Sequence, residues 1–186
     1  MEWFTSDLHY GHRNIAGKEI SSWKDGYRDF RHVCEMNMTI IRNINDNVAE
    51  SDTLYIAGDL CFTSRSGIYG FLQSIICKNI HLILGNHDKE LRKHPDRYLK
   101  DGLLSSISEY KEIYVSKQKI CIFHYSPEVW NASRRGSWFL FGHSHDNLPE
   151  SDIRKMDIGI DSAYRILGEY RPFSFDEIKS IMDKRI

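Results

Sequence analysis

Asp7 and His9 stand two apart, Asp59 follows Gly58, Gly85-Asn86-His87-Asp88 run consecutively, His124 stands alone, and His143 and His145 close the series after Gly142. These are metal-binding side chains, and each cluster follows an apolar, strand-like stretch. In an extended segment, side chains two apart point to the same side, so Asp7 with His9, and His143 with His145, can each bite one centre. Glycines 58, 85 and 142 lie directly ahead of the polar groups, where a missing side chain lets backbone and ion approach closely. A lone Asp-x-His or Gly-Asp is close to background. "GNHD" and "GHSH" are sharper, since each arises by chance on the order of once in a thousand chains of this length.

Such residues need a scaffold that brings strand ends together. "EWFTS" reads as a strand, apolar residues from Phe30 to Val48 recur at helical spacing and predict a helix over 28–48, and "TLYIAGD" reads as a second strand. "GIYGFLQSIIC" predicts a helix and "IHLILGNHD" a third strand, an alternation that builds a parallel sheet through right-handed crossovers. A charged helical stretch covers 88 to about 105. "EYKEIYVSKQKICIFHY" then alternates as an antiparallel hairpin turning at Ser116 to Gln118, with further strands at "SWFLFG" and "KMDIGID". Ser174 and Glu177 form a capping box that opens a terminal helix. "NASRRGS", residues 131–137, is the most loop-like interior segment.

The 186 residues are 41% hydrophobic, enough for one substantial core, so residues 1–186 are read as a single domain. The net charge of -1 provides no global basic field for duplex DNA or an anionic membrane, so anion recognition must be local. Cysteines 34, 61, 77 and 121 form no C-x-x-C pair, as expected of reduced thiols in a cytoplasmic protein. No apolar run reaches transmembrane length, and "MEWFTSDLHY" lacks the signature of a signal peptide.

The ordered set Asp7-x-His9, Gly58-Asp59, Gly85-Asn86-His87-Asp88, His124 and Gly142-His143-x-His145 resembles the calcineurin-like metallophosphoesterases, with every motif position filled between residues 7 and 145. The resemblance implies an α/β fold, a four-layer α/β/β/α sandwich of two mixed β-sheets flanked by helices, with a two-metal site at the sheet edges. It implies that Asp7, His9, Asp59 and His145 bind one divalent ion and that Asp59, Asn86, His124 and His143 bind the other, with Asp59 as the bridge. His87 would lie beside the ions near the substrate, oriented by Asp88.

The chemistry of the residues agrees. Two carboxylates, four imidazoles and one amide around two divalent ions and a bridging hydroxide leave about one positive charge, so an anion is attracted. Ions about 3.5–4 Å apart acidify a shared water and clamp both oxygens of an in-line displacement. Phosphate esters, whose hydrolysis calls for accelerations up to about 10²¹-fold, make most use of that apparatus. The expected reaction is hydrolysis of a phosphomonoester or phosphodiester by the metal-bridging hydroxide, with His87 donating a proton or hydrogen bond to the leaving-group oxygen. Manganese is the expected metal, with iron, zinc and nickel also suited to these ligands.

The expected partner is a small phosphate ester, such as a nucleotide, rather than nucleic acid or membrane. A nuclease of the same architecture, or a metal-binding scaffold without catalysis, are the rival readings. A nuclease would call for a basic track with aromatics, and a scaffold for missing ligands or a replaced His87. His12 and Arg13 are candidate phosphate contacts or helix-entry residues, and Arg134 and Arg135 are candidate phosphate contacts or a solvated loop pair. Tyr125, Trp130, Trp138 and Phe141 could line a substrate wall or the core. His32, His81 and His94 have no motif partner.

Overall fold

The computed structural model describes residues 1–17 and 28–186. In chain order the elements are β1 (Glu2–Thr5), α1 (Arg13–Ala16), α2 (Val33–Asn47), β2 (Thr53–Ile56), α3 (Arg65–Ser74), β3 (Asn79–Ile83), α4 (Lys89–Lys93) and α5 (Pro95–Lys100). There follow β4 (Ser106–Ser108), β5 (Tyr110–Val115), β6 (Gln118–Phe123), β7 (Trp138–Phe141), β8 (Lys155–Asp157), α6 (Ile160–Leu167), β9 (Phe173–Ser174) and α7 (Phe175–Met182).

The strands form two mixed sheets, ordered β4-β3-β2-β1-β9 and β5-β6-β7-β8, in which β9 and β5 are the antiparallel members. Helices flank them, as expected. Alternation along β1 explains the layering: Trp3 joins a core with Met36, Ile40, Ile44 and Phe71 under α2 and α3, whereas Phe4 joins the core facing the second sheet through Ile120, Ile122 and Leu140. The outer face of the second sheet carries Cys121, Phe139 and Phe141, covered by Trp130. Among the described residues, no helix is long and apolar enough to cross a membrane.

Several boundaries differ from the sequence reading. The helix expected over 28–48 begins at Val33, because the backbone of Arg28 and Phe30 donates instead to Ile15 and Ala16 at 2.7 and 2.9 Å. The helical stretch after Asp88 is two short helices that part at His94, ahead of Pro95, which lacks the N–H a continuous helix would use. The strand in "KMDIGID" stops at Asp157, and α6 takes over from Ile160. The hairpin turns through Ser116 and Lys117 at φ 48° and 69°, the left-handed pair of a two-residue turn that follows strand twist. The α7 capping box is present, with Ser174 and Glu177 exchanging side-chain and backbone hydrogen bonds.

The two sheets meet where the site lies. Beyond β1, Ser6 bridges to Gly159 beyond β8, and Ile160 N–H donates to Ser6 carbonyl at 3.0 Å. The C-terminal ends of β1, β2, β3, β6, β7 and β8 therefore open into one region, the usual place for a site in open α/β sheets.

Candidate metal centre

Each strand end delivers its polar group through a constrained loop. Asp7 N–H donates to Gly58 carbonyl at 2.9 Å and His9 N–H to Asp59 carbonyl at 3.0 Å, so the loops after β1 and β2 stay in register past the sheet. Asp7, His9, Asp59, His143 and His145 all adopt left-handed backbone, with φ between 48° and 68°. For residues other than glycine this costs about 1–3 kcal/mol each, strain that concentrates at functional sites.

The glycines serve the carboxylates. A Cβ on Gly85 would stand 2.2 Å from Asp59 Oδ1, and one on Gly142 would stand 1.9 Å from Ser6 Oγ and 2.3 Å from Asp7 Oδ2. These contacts are far inside van der Waals distance, so only glycine lets the loops close around Asp7 and Asp59.

The side chains gather as two groups. Asp7, His9 and His145 offer ligand atoms within 4.8 Å of one another, and so do Asp59, His124 and His143. Asp59 Oδ2 lies between the groups, 3.6 Å from both His9 Nε2 and His124 Nε2. Asn86 joins the second group through Oδ1, 3.0 Å from His124 Nε2. His124 Nδ1 lies 2.7 Å from the Ala57 carbonyl, which can only accept, so the ring proton is on Nδ1 and the Nε2 lone pair faces the Asn86 oxygen.

These groups fit divalent cations on physical grounds. Asp7 Oδ1 and His9 Nε2 are buried acceptors without a hydrogen-bond partner, and they lie 3.9 Å apart. Two buried polar atoms of metal-binding type left without a partner are costly, and a cation between them would satisfy both. Burial pushes the Asp7 carboxyl up to about 8 and the His9 imidazole well below its ordinary range. A compact positive charge on that spot would favour the ionised carboxylate and the neutral imidazole together.

A supporting layer absent from the sequence reading holds this arrangement. Arg28, 1% exposed, donates Nε and a terminal nitrogen to Asp161 at 2.7 and 2.9 Å, and also binds the carbonyls of Asp7 and Leu8. Asp161 Oδ2 in turn accepts from His145 Nδ1 at 2.8 Å, which turns Nε2 towards Asp7 Oδ1, 3.9 Å away. Burial opposes ionisation of Asp161, yet Arg28 and His145 together hold it well below the usual carboxylate range. Asp157 accepts from Ser144 Oγ and from the N–H groups of Asp146 and Gly159, pinning the loop that carries His143 and His145.

His87 lies outside both ligand groups. Its side chain is 37% exposed, Nε2 is 3.9 Å from Asp59 Oδ2, and its N–H donates to Asp59 Oδ1 at 2.8 Å. Asp88 differs from expectation: its two oxygens accept backbone N–H groups of Gly85, Asp59 and Leu60 at 2.8 to 2.9 Å. It fastens the two loops together rather than gripping the His87 ring.

The weaker candidates separate clearly. His12 lines the cavity with Nδ1 3.1 Å from His9 Nδ1, and burial lowers it to about 4, so it is neutral at pH 7. Arg13 is exposed on α1 and does not line that cavity. Arg134 and Arg135 sit on an exposed 3₁₀ turn just ahead of β7, at the opposite end of the sheet from the centre. Trp130, Trp138 and Phe141 are core residues, while Tyr125 stands edge-on to His124 and His143 at 4.9 and 4.7 Å. His81 bonds Ser106 within the first sheet. Phe62, which no motif singled out, borders the cavity.

Residues 3–169 match the family model described as calcineurin-like phosphoesterase. The chain is 36% identical over 207 residues to the Gene 66 protein of Mycobacterium phage L5, covering 97% of this chain and 93% of that one. It superposes on a protein of unknown function, AQ665 from Aquifex aeolicus, with a TM-score of 0.68 at 22% identity, covering 97% and 98% of the two chains. An archaeal phosphodiesterase superposes with a TM-score of 0.50 at 20% identity, covering 85% and 81%.

Proposed function

The chain belongs to the calcineurin-like phosphoesterase family, and on that premise we propose that it is a metal-dependent phosphoesterase hydrolysing small phosphate esters at a dinuclear centre. The observation that carries this reading is Asp59 Oδ2, equidistant at 3.6 Å from an imidazole of each ligand group. A single carboxylate oxygen so placed suits a bridge between two cations. Asp7, His9, Asp59 and His145 would hold one ion, and Asp59, Asn86, His124 and His143 the other; manganese is the proposed metal.

Bound divalent ions supply Lewis acidity and a water acidified towards neutrality. The chain's own residues do the rest. With two divalent ions held, ligands that include only two carboxylates would leave the centre net positive, which would favour a phosphate group in the cavity of about 430 Å³. His87, at the edge of that cavity and outside both ligand groups, is free to face the leaving-group oxygen and donate a proton to it. Arg28, which donates to the Leu8 carbonyl, and Asp88 and Asp157, which accept from backbone N–H groups, hold the loops, so little ordering is left for substrate to drive.

The test is hydrolysis of para-nitrophenyl phosphate and its bis-ester by protein reconstituted with manganese, iron, zinc or nickel. Metal-dependent turnover of either ester is the expected result. Tight binding of two ions without turnover of any ester would instead leave a metal-bearing scaffold.

A further inference from the structure

Phe62 lies three residues after Asp59 and is 46% exposed, although a phenyl ring gains from burial. Its place is set by the fold: Phe62 N–H donates to the Tyr10 carbonyl at 2.8 Å, next to a parallel bridge between Tyr10 and Cys61. The ring stacks on the His12 imidazole with centroids 4.0 Å apart at 18°, and meets His87 edge-on at 5.2 Å. It is also a shared wall. On one side is the cavity of about 430 Å³ at the ligand groups, and on the other a cavity of about 340 Å³ that reaches Thr63 and Lys89.

We infer that Phe62, backed by His12, is a stacking platform for a nucleobase, and that nucleoside phosphates are the preferred substrate class of this centre. The inference rests on the phosphoesterase reading for the position of the phosphate. His87 neighbours both Phe62 and Asp59: its ring meets Phe62 edge-on, and its Nε2 is 3.9 Å from Asp59 Oδ2. A phosphate at the ligand groups and a flat ring on Phe62 would therefore lie in one cavity of about 430 Å³, joined by a sugar passing His87. Stacking is insensitive to which base is presented, since every base has a π-face.

The experiment is calorimetric binding of adenosine 5′-monophosphate and ribose 5-phosphate, which share phosphate and sugar, to manganese-loaded protein. The wild type is expected to bind the nucleotide about tenfold more tightly. Phe62→Ala should abolish that preference while leaving ribose 5-phosphate affinity and metal stoichiometry unchanged, and Phe62→Tyr should retain it. Equal affinity for the two ligands in the wild type, no binding of either, or equal weakening of both by Phe62→Ala would overturn the proposal. So would phenyl phosphate showing the same gain and the same loss, which would mark an unselective aromatic surface. Nucleotide preference in a protein that cleaves no ester would sink the phosphoesterase reading and leave the platform standing; ester cleavage without the preference would do the reverse.

Discussion

Arg28 and Asp161, 133 residues apart in sequence, form a bidentate ion pair at 2.7 and 2.9 Å, with Arg28 fully buried and Asp161 largely so. The pair orients His145 through its Nδ1 and holds the carbonyls of Asp7 and Leu8. Asp161→Asn keeps the shape but removes the charge that steadies the imidazole. Affinity for the ion at Asp7, His9 and His145 should fall about 10–100-fold, with the Asp59, His124 and His143 group little changed. A two-site metal titration distinguishes this from a general loss of folding. Arg28→Met leaves a buried carboxylate uncompensated and should lower unfolding stability by about 3–5 kcal/mol in urea.

Asp59 and His87 should respond in opposite ways. Asp59→Ala removes the oxygen shared by both groups, so metal content is expected to fall at both sites together with turnover. His87→Ala should keep two ions by elemental analysis and lose about 10²–10⁴-fold in kcat. Loss of metal in the His87 variant would show that the imidazole supports the centre rather than the leaving group.

Gly142→Ala places a Cβ 1.9 Å from Ser6 Oγ and 2.3 Å from Asp7 Oδ2. Neither neighbour has room to retreat, since Ser6 Oγ is bonded to the Ala57 carbonyl at 2.8 Å and Asp7 Oδ2 to His143 N–H at 2.9 Å. Stability should drop by about 1–3 kcal/mol. Thermal melts with and without metal measure it. Gly70→Ala, on a helix position with nothing near the added carbon, should raise the melting temperature slightly.

His81 supplies a pH dependence separate from the metal centre. Burial lowers its imidazole to about 4, with Lys111 contributing, against about 6.5 in an unfolded chain. Between those values the unfolded chain binds a proton that the folded protein does not, so stability is full above about pH 6.5 and declines as pH falls towards 4. His81→Gln should therefore lose less stability than the wild type between pH 7 and pH 5. Urea midpoints of metal-free protein at the two pH values read the difference; identical pH slopes would refute it.

Much of the fold was legible because its signals are local. Alternation and helical spacing need only a few residues, and the Ser174–Glu177 capping box and the turn at Ser116 and Lys117 are written in neighbouring side chains. The helix start at Val33 was not legible, because Phe30 continues the helical pattern while its backbone is claimed by Ala16. The partners of Asp88 were not legible either: it follows His87 in sequence, yet its carboxylate serves three backbone N–H groups from two loops.

By itself the sequence determined which residue types stand at the ends of strands and in what order, since ligand chemistry belongs to the side chain and spacing of two belongs to the extended backbone. Tertiary structure alone decided that Asp59 Oδ2 faces an imidazole from each group, that Arg28 reaches Asp161, and that Phe62 is left facing the cavity. Those relations depend on left-handed backbone at Asp7, His9, Asp59, His143 and His145 and on two sheets meeting at Ser6 and Gly159. Strained torsions and long-range contacts are paid for by the packing of the whole core, so no short window of residues encodes them.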